Sequence, residues 1–183
     1  MNAVLIFVNE ALPDEYPATP EGLSDAATAI NADMVWQRIE SYVCTRYTER
    51  AVEFIVEGPG DWRPPLKPVT LATVEEWRGE TWVNTTLAPS PLGGFILKGC
   101  GPYRFTGIAG EDDADIPATV TEAFRRIIEY MAGIDESDRP GARSVTEAVP
   151  DVHSTTIERS PTWMAQALQN SGAADLLRNL RRA

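Results

Sequence analysis

The spacing of hydrophobic positions divides the chain into segments of different period. Val4-Leu5-Ile6-Phe7-Val8 is a short apolar run, read as a strand or a docking segment. It has no basic leader and is too short for a signal-peptide core or a membrane span. Residues 9–22 carry Pro13, Pro17, Pro20 and Gly22 among acids, an extended and irregular composition. From Leu23 the period becomes helical, with Ser24 able to cap and Leu23, Ala27 and Ile30 on one face. A second helix, capped by Asp33, is predicted to put Val35, Ile39, Tyr42 and Val43 into a core, with Trp36 and Tyr47 beside them.

At Arg50 the period drops to two. Val52, Phe54 and Val56 alternate with Glu53, Ile55 and Glu57, as in a strand, and Gly58-Pro59-Gly60 ends the run. Asp61 to Pro68 is too rich in proline for regular structure. Val69–Trp77 and Thr81–Leu87 read as a hairpin about Arg78-Gly79-Glu80. Phe95–Lys98 and Tyr103–Thr106 add two short strands, so the middle of the chain is predicted to be an antiparallel β unit between helices. Pro117 then suits a helix start. Val120, Ala123, Phe124, Ile127, Ile128 and Met131 form the clearest helical stripe in the sequence, with Gly133 just past it.

Residues 144–159 alternate loosely around Pro150, as an extended arm or loose hairpin. At the end, Ser160 and Pro161 signal another helix start, Trp163, Ala167 and Leu168 share a face, and Gly172 marks a stop. Leu176, Leu177 and Leu180 then lie on one side of a second short piece. Arg178, Arg181 and Arg182 sit in its last turn, where the helix dipole favours cations. The fold class this predicts is α+β: a small helical bundle with an inserted antiparallel β unit and a C-terminal helical tail.

Charge narrows the function. The 183 residues carry −11 net, with no Lys or Arg before Arg38, which argues against a general DNA-binding surface. Cys44 and Cys100 have no motif spacing, so neither a disulfide framework nor a zinc site is suggested. His153 is the single histidine, which leaves no catalytic triad or multi-histidine metal site in one subunit. Glu111-Asp112-Asp113-Ala114-Asp115 lacks the spacing of a calcium loop, and a helix start already explains acids there. Gly93-Gly94 and Gly99-Cys100-Gly101 are followed by no Gly-Lys-Ser/Thr, so turns explain them better than a phosphate loop. No cofactor, no metal and no enzymatic activity are expected. Trp62, Trp77, Trp82 and Trp163 sit in or beside loops, hairpins or helix ends, where aromatics complete a small core or anchor an interface.

Several stretches in order carry a resemblance: Tyr47-Thr48-Glu49-Arg50, Val69 to Trp77, Gly101-Pro102-Tyr103-Arg104-Phe105, Ile116-Pro117, Glu122-Ala123-Phe124-Arg125-Arg126, and Ala167 to Ala174 with Leu176-Leu177 before Arg181-Arg182. Over residues 23–183 the chain resembles the head–tail connector (adaptor) proteins of long-tailed bacteriophages and phage-like gene transfer agents. The resemblance implies a non-enzymatic structural protein of the virion's head–tail interface, assembled in the bacterial cytoplasm without a membrane. It implies a homo-oligomeric twelvefold ring beneath the portal, with a stopper or tail-terminator protein on its far side and double-stranded DNA passing non-specifically through the middle. In these terms residues 1–22 are an N-terminal extension. Residues 23–143 are the connector core, with helices over 23–47 and 117–132 and the β insertion over 50–110. Residues 144–183 are an arm and portal-docking helices. Trp163, Leu168, Leu176, Leu177, Arg178, Leu180, Arg181 and Arg182 are the expected portal contacts, and deleting residues 173–183 is expected to abolish docking with the fold intact.

Twelve copies at −11 each would carry about −132 formal charges, and a lumen bearing part of that charge would repel the DNA backbone and let it slide. Two rival readings stand beside this one. One is a β-rich module that binds a peptide or glycan through exposed tryptophans. The other is a small enzyme with a metal site in the 111–115 loop.

Overall fold

The computed structural model describes residues 3–112, 114–136, 142–148, 154–159 and 165–181. The chain is α+β, and it divides into two compact units: residues 1–17 with 44–114, and residues 18–43 with 115–183.

The first unit is the β unit. Strands β1 (Val4–Glu10), β2 (Arg50–Glu57), β4 (Val69–Arg78), β5 (Thr81–Asn84) and β8 (Tyr103–Ala109) form an antiparallel sheet in the order β1-β2-β8-β4-β5. Short strands β3 (Gly60–Trp62), β6 (Ala88–Pro89) and β7 (Phe95–Leu97) form a second, three-stranded sheet, β3-β7-β6. The alternation predicted for β2 is observed: Val52, Phe54 and Val56 are buried, and they pack with Trp62, Leu97, Tyr103, Phe105 and Ala109. Trp62 lies 4.1 Å, centroid to centroid, from Phe105 and 5.7 Å from Phe54. It therefore completes the core from within a strand, where the prolines after it had predicted no regular structure.

The β4–β5 turn is Gly79-Glu80, both with positive φ (55° and 68°), as a two-residue type I′ hairpin requires. Directly across that hairpin Trp77 and Trp82 make an edge-to-face pair at 5.2 Å. The N-terminal run, read as a strand or a docking segment, is strand β1 of this sheet, with a bulge between Leu5 and Phe7. One feature differs from the sequence reading: β8 extends to Ala109.

The second unit is helical. It contains α1 (Asp25–Thr28), α2 (Ala32–Val43), α3 (Ala118–Glu136), α4 (Ala167–Asn170) and α5 (Ala173–Leu177), together with an antiparallel hairpin of β9 (Ala142–Ala148) and β10 (Ser154–Arg159). Helix α3 is its centre, because α1, α2, α4 and α5 all pack on it. Its predicted stripe is buried from Val120 to Met131, opposite Val35, Trp36, Ile39 and Val43 of α2, and Trp36 meets Phe124 at 4.8 Å. Tyr42, expected in that core, is half-buried.

Three helix ends fall elsewhere than predicted. The side chain of Asn31, rather than Asp33, caps α2, accepting the Asp33 N–H at 2.9 Å. Helix α2 ends at Val43, and Cys44 has a left-handed φ of 55°. Helix α3 runs through Gly133, because the roughly 1 kcal/mol that a mid-helix glycine costs is small beside its buried face.

Candidate partner interface

The C-terminal segment is positioned by a capped framework. Ser24, predicted as a cap, accepts the Ala27 N–H at 3.2 Å, and its own N–H and hydroxyl donate to the two carboxylate oxygens of Glu129 at 2.8 Å each. This ties α1 to α3. Helix α4 reaches α3 through Asn170, whose amide donates to the Tyr130 hydroxyl at 3.3 Å. Gly172, with φ 75°, then breaks the chain into α4 and α5, as the sequence predicted.

The expected portal contacts do not share one environment. Leu177 is wholly buried, as is Ala173 one turn before it, so this face of α5 is spent on its own unit. Leu176 and Leu180 are half-buried, and Arg178 and Arg181 are exposed. Arg178 pairs with Asp175 at 2.8 Å, and the Arg181 guanidinium stands 5.1 Å from the centre of the Tyr42 ring. Leu168 is half-buried and lines a cleft of about 540 Å³ with Gln169 and with Met34, Gln37, Arg38 and Tyr42 of α2. Trp163 and Arg182 lie outside the described residues, as do His153 and Asp113. The structure thus brings Leu168 and Arg181 to the surface of α2 and turns Leu177 inward.

A second cluster, in the β unit, had no signal in the sequence beyond an isolated acid. Glu10 ends β1 and accepts from Arg46 through both carboxylate oxygens, one of these bonds measuring 2.8 Å, and from Arg50 at 3.3 Å. Arg50 also donates to the Thr48 hydroxyl at 2.9 Å and stands 5.5 Å from the Tyr16 ring centre. Burial alone would raise the Glu10 carboxyl, but the hydrogen bond and charge of Arg46 and the charge of Arg50 outweigh it and hold the group below its ordinary value. These contacts fasten an N-terminal strand to residues some forty positions away.

The tryptophans divide as well. Trp36 and Trp62 are core residues. Trp82 is half-buried under the Arg104 guanidinium at 4.6 Å, and Trp77 is exposed beside it. Among the described residues no cluster of three or more His, Cys, Asp or Glu side chains is placed to hold a metal ion, and no helix is long and apolar enough to cross a membrane.

No protein-family model matches the chain, and no curated protein matches it. Among solved structures, a chain of one described as the neck of a native GTA particle computed with C12 symmetry matches at 16% identity. The match covers 91% of this chain and 94% of that one, with a TM-score of 0.47. A likeness that distant carries neither fold nor function across.

Proposed function

We propose that the chain is a structural subunit of a virion neck: a head–tail connector that forms a ring, docks on the portal, continues the DNA channel and carries the stopper or tail. The observation that carries this reading is the order of elements. The stretches that resemble connectors fall, in sequence, on the connection from α2 into the first residue of β2, on β4, on β8, on the start of α3, and on α4 and α5 parted at Gly172. In this reading the docking surface is the outward side of the terminal segment: Leu168, Leu176, Arg178, Leu180 and Arg181, with Trp163 and Arg182. Leu177 secures that segment to the subunit. The core spans 23–143 and the arm and tail 144–183, and strand β1 adds the N-terminal residues to the working structure. A tryptophan-based peptide or glycan reader has less support, since of the described tryptophans it rests on Trp77.

Point substitutions test the docking surface better than deletion of 173–183, because deletion would uncover the face of α3 that Leu177 covers. Arg178→Glu with Arg181→Glu is expected to leave circular dichroism and melting unchanged and to abolish co-sedimentation with purified portal rings. Wild-type protein that fails to bind the portal of its own particle, or particles lacking this chain that still attach tails, would overturn the connector reading.

A further inference from the structure

Strand β1 has the composition of a strand buried on both faces but stands at a sheet edge. Val4, Leu5, Ile6, Phe7 and Val8 are between 38% and 57% exposed. Even the side chains on the core face are uncovered: Leu5 and Val8 pair with Val56 and Phe54, both wholly buried, yet are themselves 38% and 40% exposed. Continuous apolar runs belong to strands covered on both sides, and open edges in lone proteins are guarded by lysine, proline or charge. From Val4 to Asn9 there is no such guard. The five side chains offer roughly 400 Å² of apolar surface, the scale of a functional patch and near the apolar share of one partner's side in a standard interface.

The opposite edge of the same sheet, β5, is also unguarded. Thr81-Trp82-Val83-Asn84 carries no charge, Val83 is exposed on one face, and on the other the exposed Trp77 stands across from Trp82. Every neighbouring pair in the sheet is antiparallel, so in an order of five strands β1 and β5 run in the same direction. A second copy rotated beside the first without inversion therefore brings its β5 alongside β1. Two unlike edges that fit each other make a heterologous contact, the kind that propagates round a closed ring.

We infer that β1 of one copy pairs with the β5 edge of the next by parallel strand addition, covering the Val4–Val8 edge with Thr81–Asn84 of the neighbour. This deepens the ring reading above and rests on it for the number of copies. Sedimentation velocity of the full chain over a concentration series tests it. Wild type is expected to self-associate. Ile6→Lys and Val83→Lys, each at an exposed position, are expected to weaken association at least about 100-fold. Phe7→Glu replaces Ile6→Lys if circular dichroism shows that variant misfolded. An equimolar mixture of the two single variants is expected to form dimers and nothing larger, since Ile6→Lys keeps its β5 edge and Val83→Lys keeps its β1 edge. Self-association of Val83→Lys at the wild-type level would overturn the pairing, as would wild type that stays monomeric up to roughly millimolar concentration. A monomer that still joins portal rings would remove the edge contact and leave the connector reading. Edge-dependent oligomers that ignore the portal would do the reverse.

Discussion

Replacing Glu10 by glutamine tests whether the carboxylate between Arg46 and Arg50 is structural. The Arg46 and Arg50 side chains are 9% and 3% exposed, and Glu10 itself 24%. Both guanidiniums have thus left most of their hydration and face one shared anion. Removing one member of a buried ion pair costs about 3–5 kcal/mol. Glutamine keeps one acceptor oxygen, and the partial exposure of Glu10 screens its charge, so about 2–3 kcal/mol is expected for Glu10→Gln. Urea unfolding should show this as a lowered midpoint at unchanged slope. The pH dependence follows from the lowered carboxyl. A group depressed on folding stabilises fully above its unfolded value, ordinarily 4.5, and loses that contribution as pH falls through its folded value. The gap between wild type and Glu10→Gln should therefore be constant from neutral pH down to about 5 and close below that. A gap under about 0.5 kcal/mol at neutral pH, the worth of a surface pair, would refute the argument.

Two further expectations concern the helical unit. Ser24→Ala removes the α1 cap and its hydroxyl bond to Glu129, and should cost about 1–2 kcal/mol in chemical unfolding, with a loss below about 0.3 kcal/mol counting against the cap. Leu177→Ala should cost about 2–4 kcal/mol by leaving a cavity under α5, while Leu180→Ala, half-buried, should cost under about 1.5. Equal losses at the two positions would mean that both leucines serve the subunit core.

Legibility followed the range of the interaction. Signals read within a few residues held: the alternation of Val52, Phe54 and Val56, the cap at Ser24, the stripe from Val120 to Met131 and the break at Gly172 each reflect local backbone geometry. Asn31 displaced Asp33 as a cap because both residues suit the role and the helix start itself decides between them. The strand at Gly60–Trp62 was hidden because the prolines after it outweigh so short a pairing. What composition and spacing do not encode is pairing at a distance. Glu10 finds its arginines 36 and 40 positions away, and nothing in its neighbourhood announces them.

The C-terminal leucines show the same limit in a form that bears on function. Leu176, Leu177 and Leu180 recur at a spacing that suits a helix face, and spacing alone does not say whether that face meets the chain's own core or another protein. Burial separates them: Leu177 is wholly covered within the subunit, whereas Leu176 and Leu180 remain half-exposed, beside Arg178 and Arg181 at the surface. A docking tail needs both kinds of residue. Without the inward leucine, the outward residues would lie on a flexible strand and lose part of their binding energy to ordering on contact. In the proposed docking role, Leu177 would hold them already in place, and repetition around a ring would multiply a modest contact into a firm one. The two roles predict different failures. Leu177→Ala should weaken portal binding in step with the stability it costs, and restore it when the fold is rescued by osmolyte. Arg178→Glu with Arg181→Glu should weaken binding at full stability and resist that rescue.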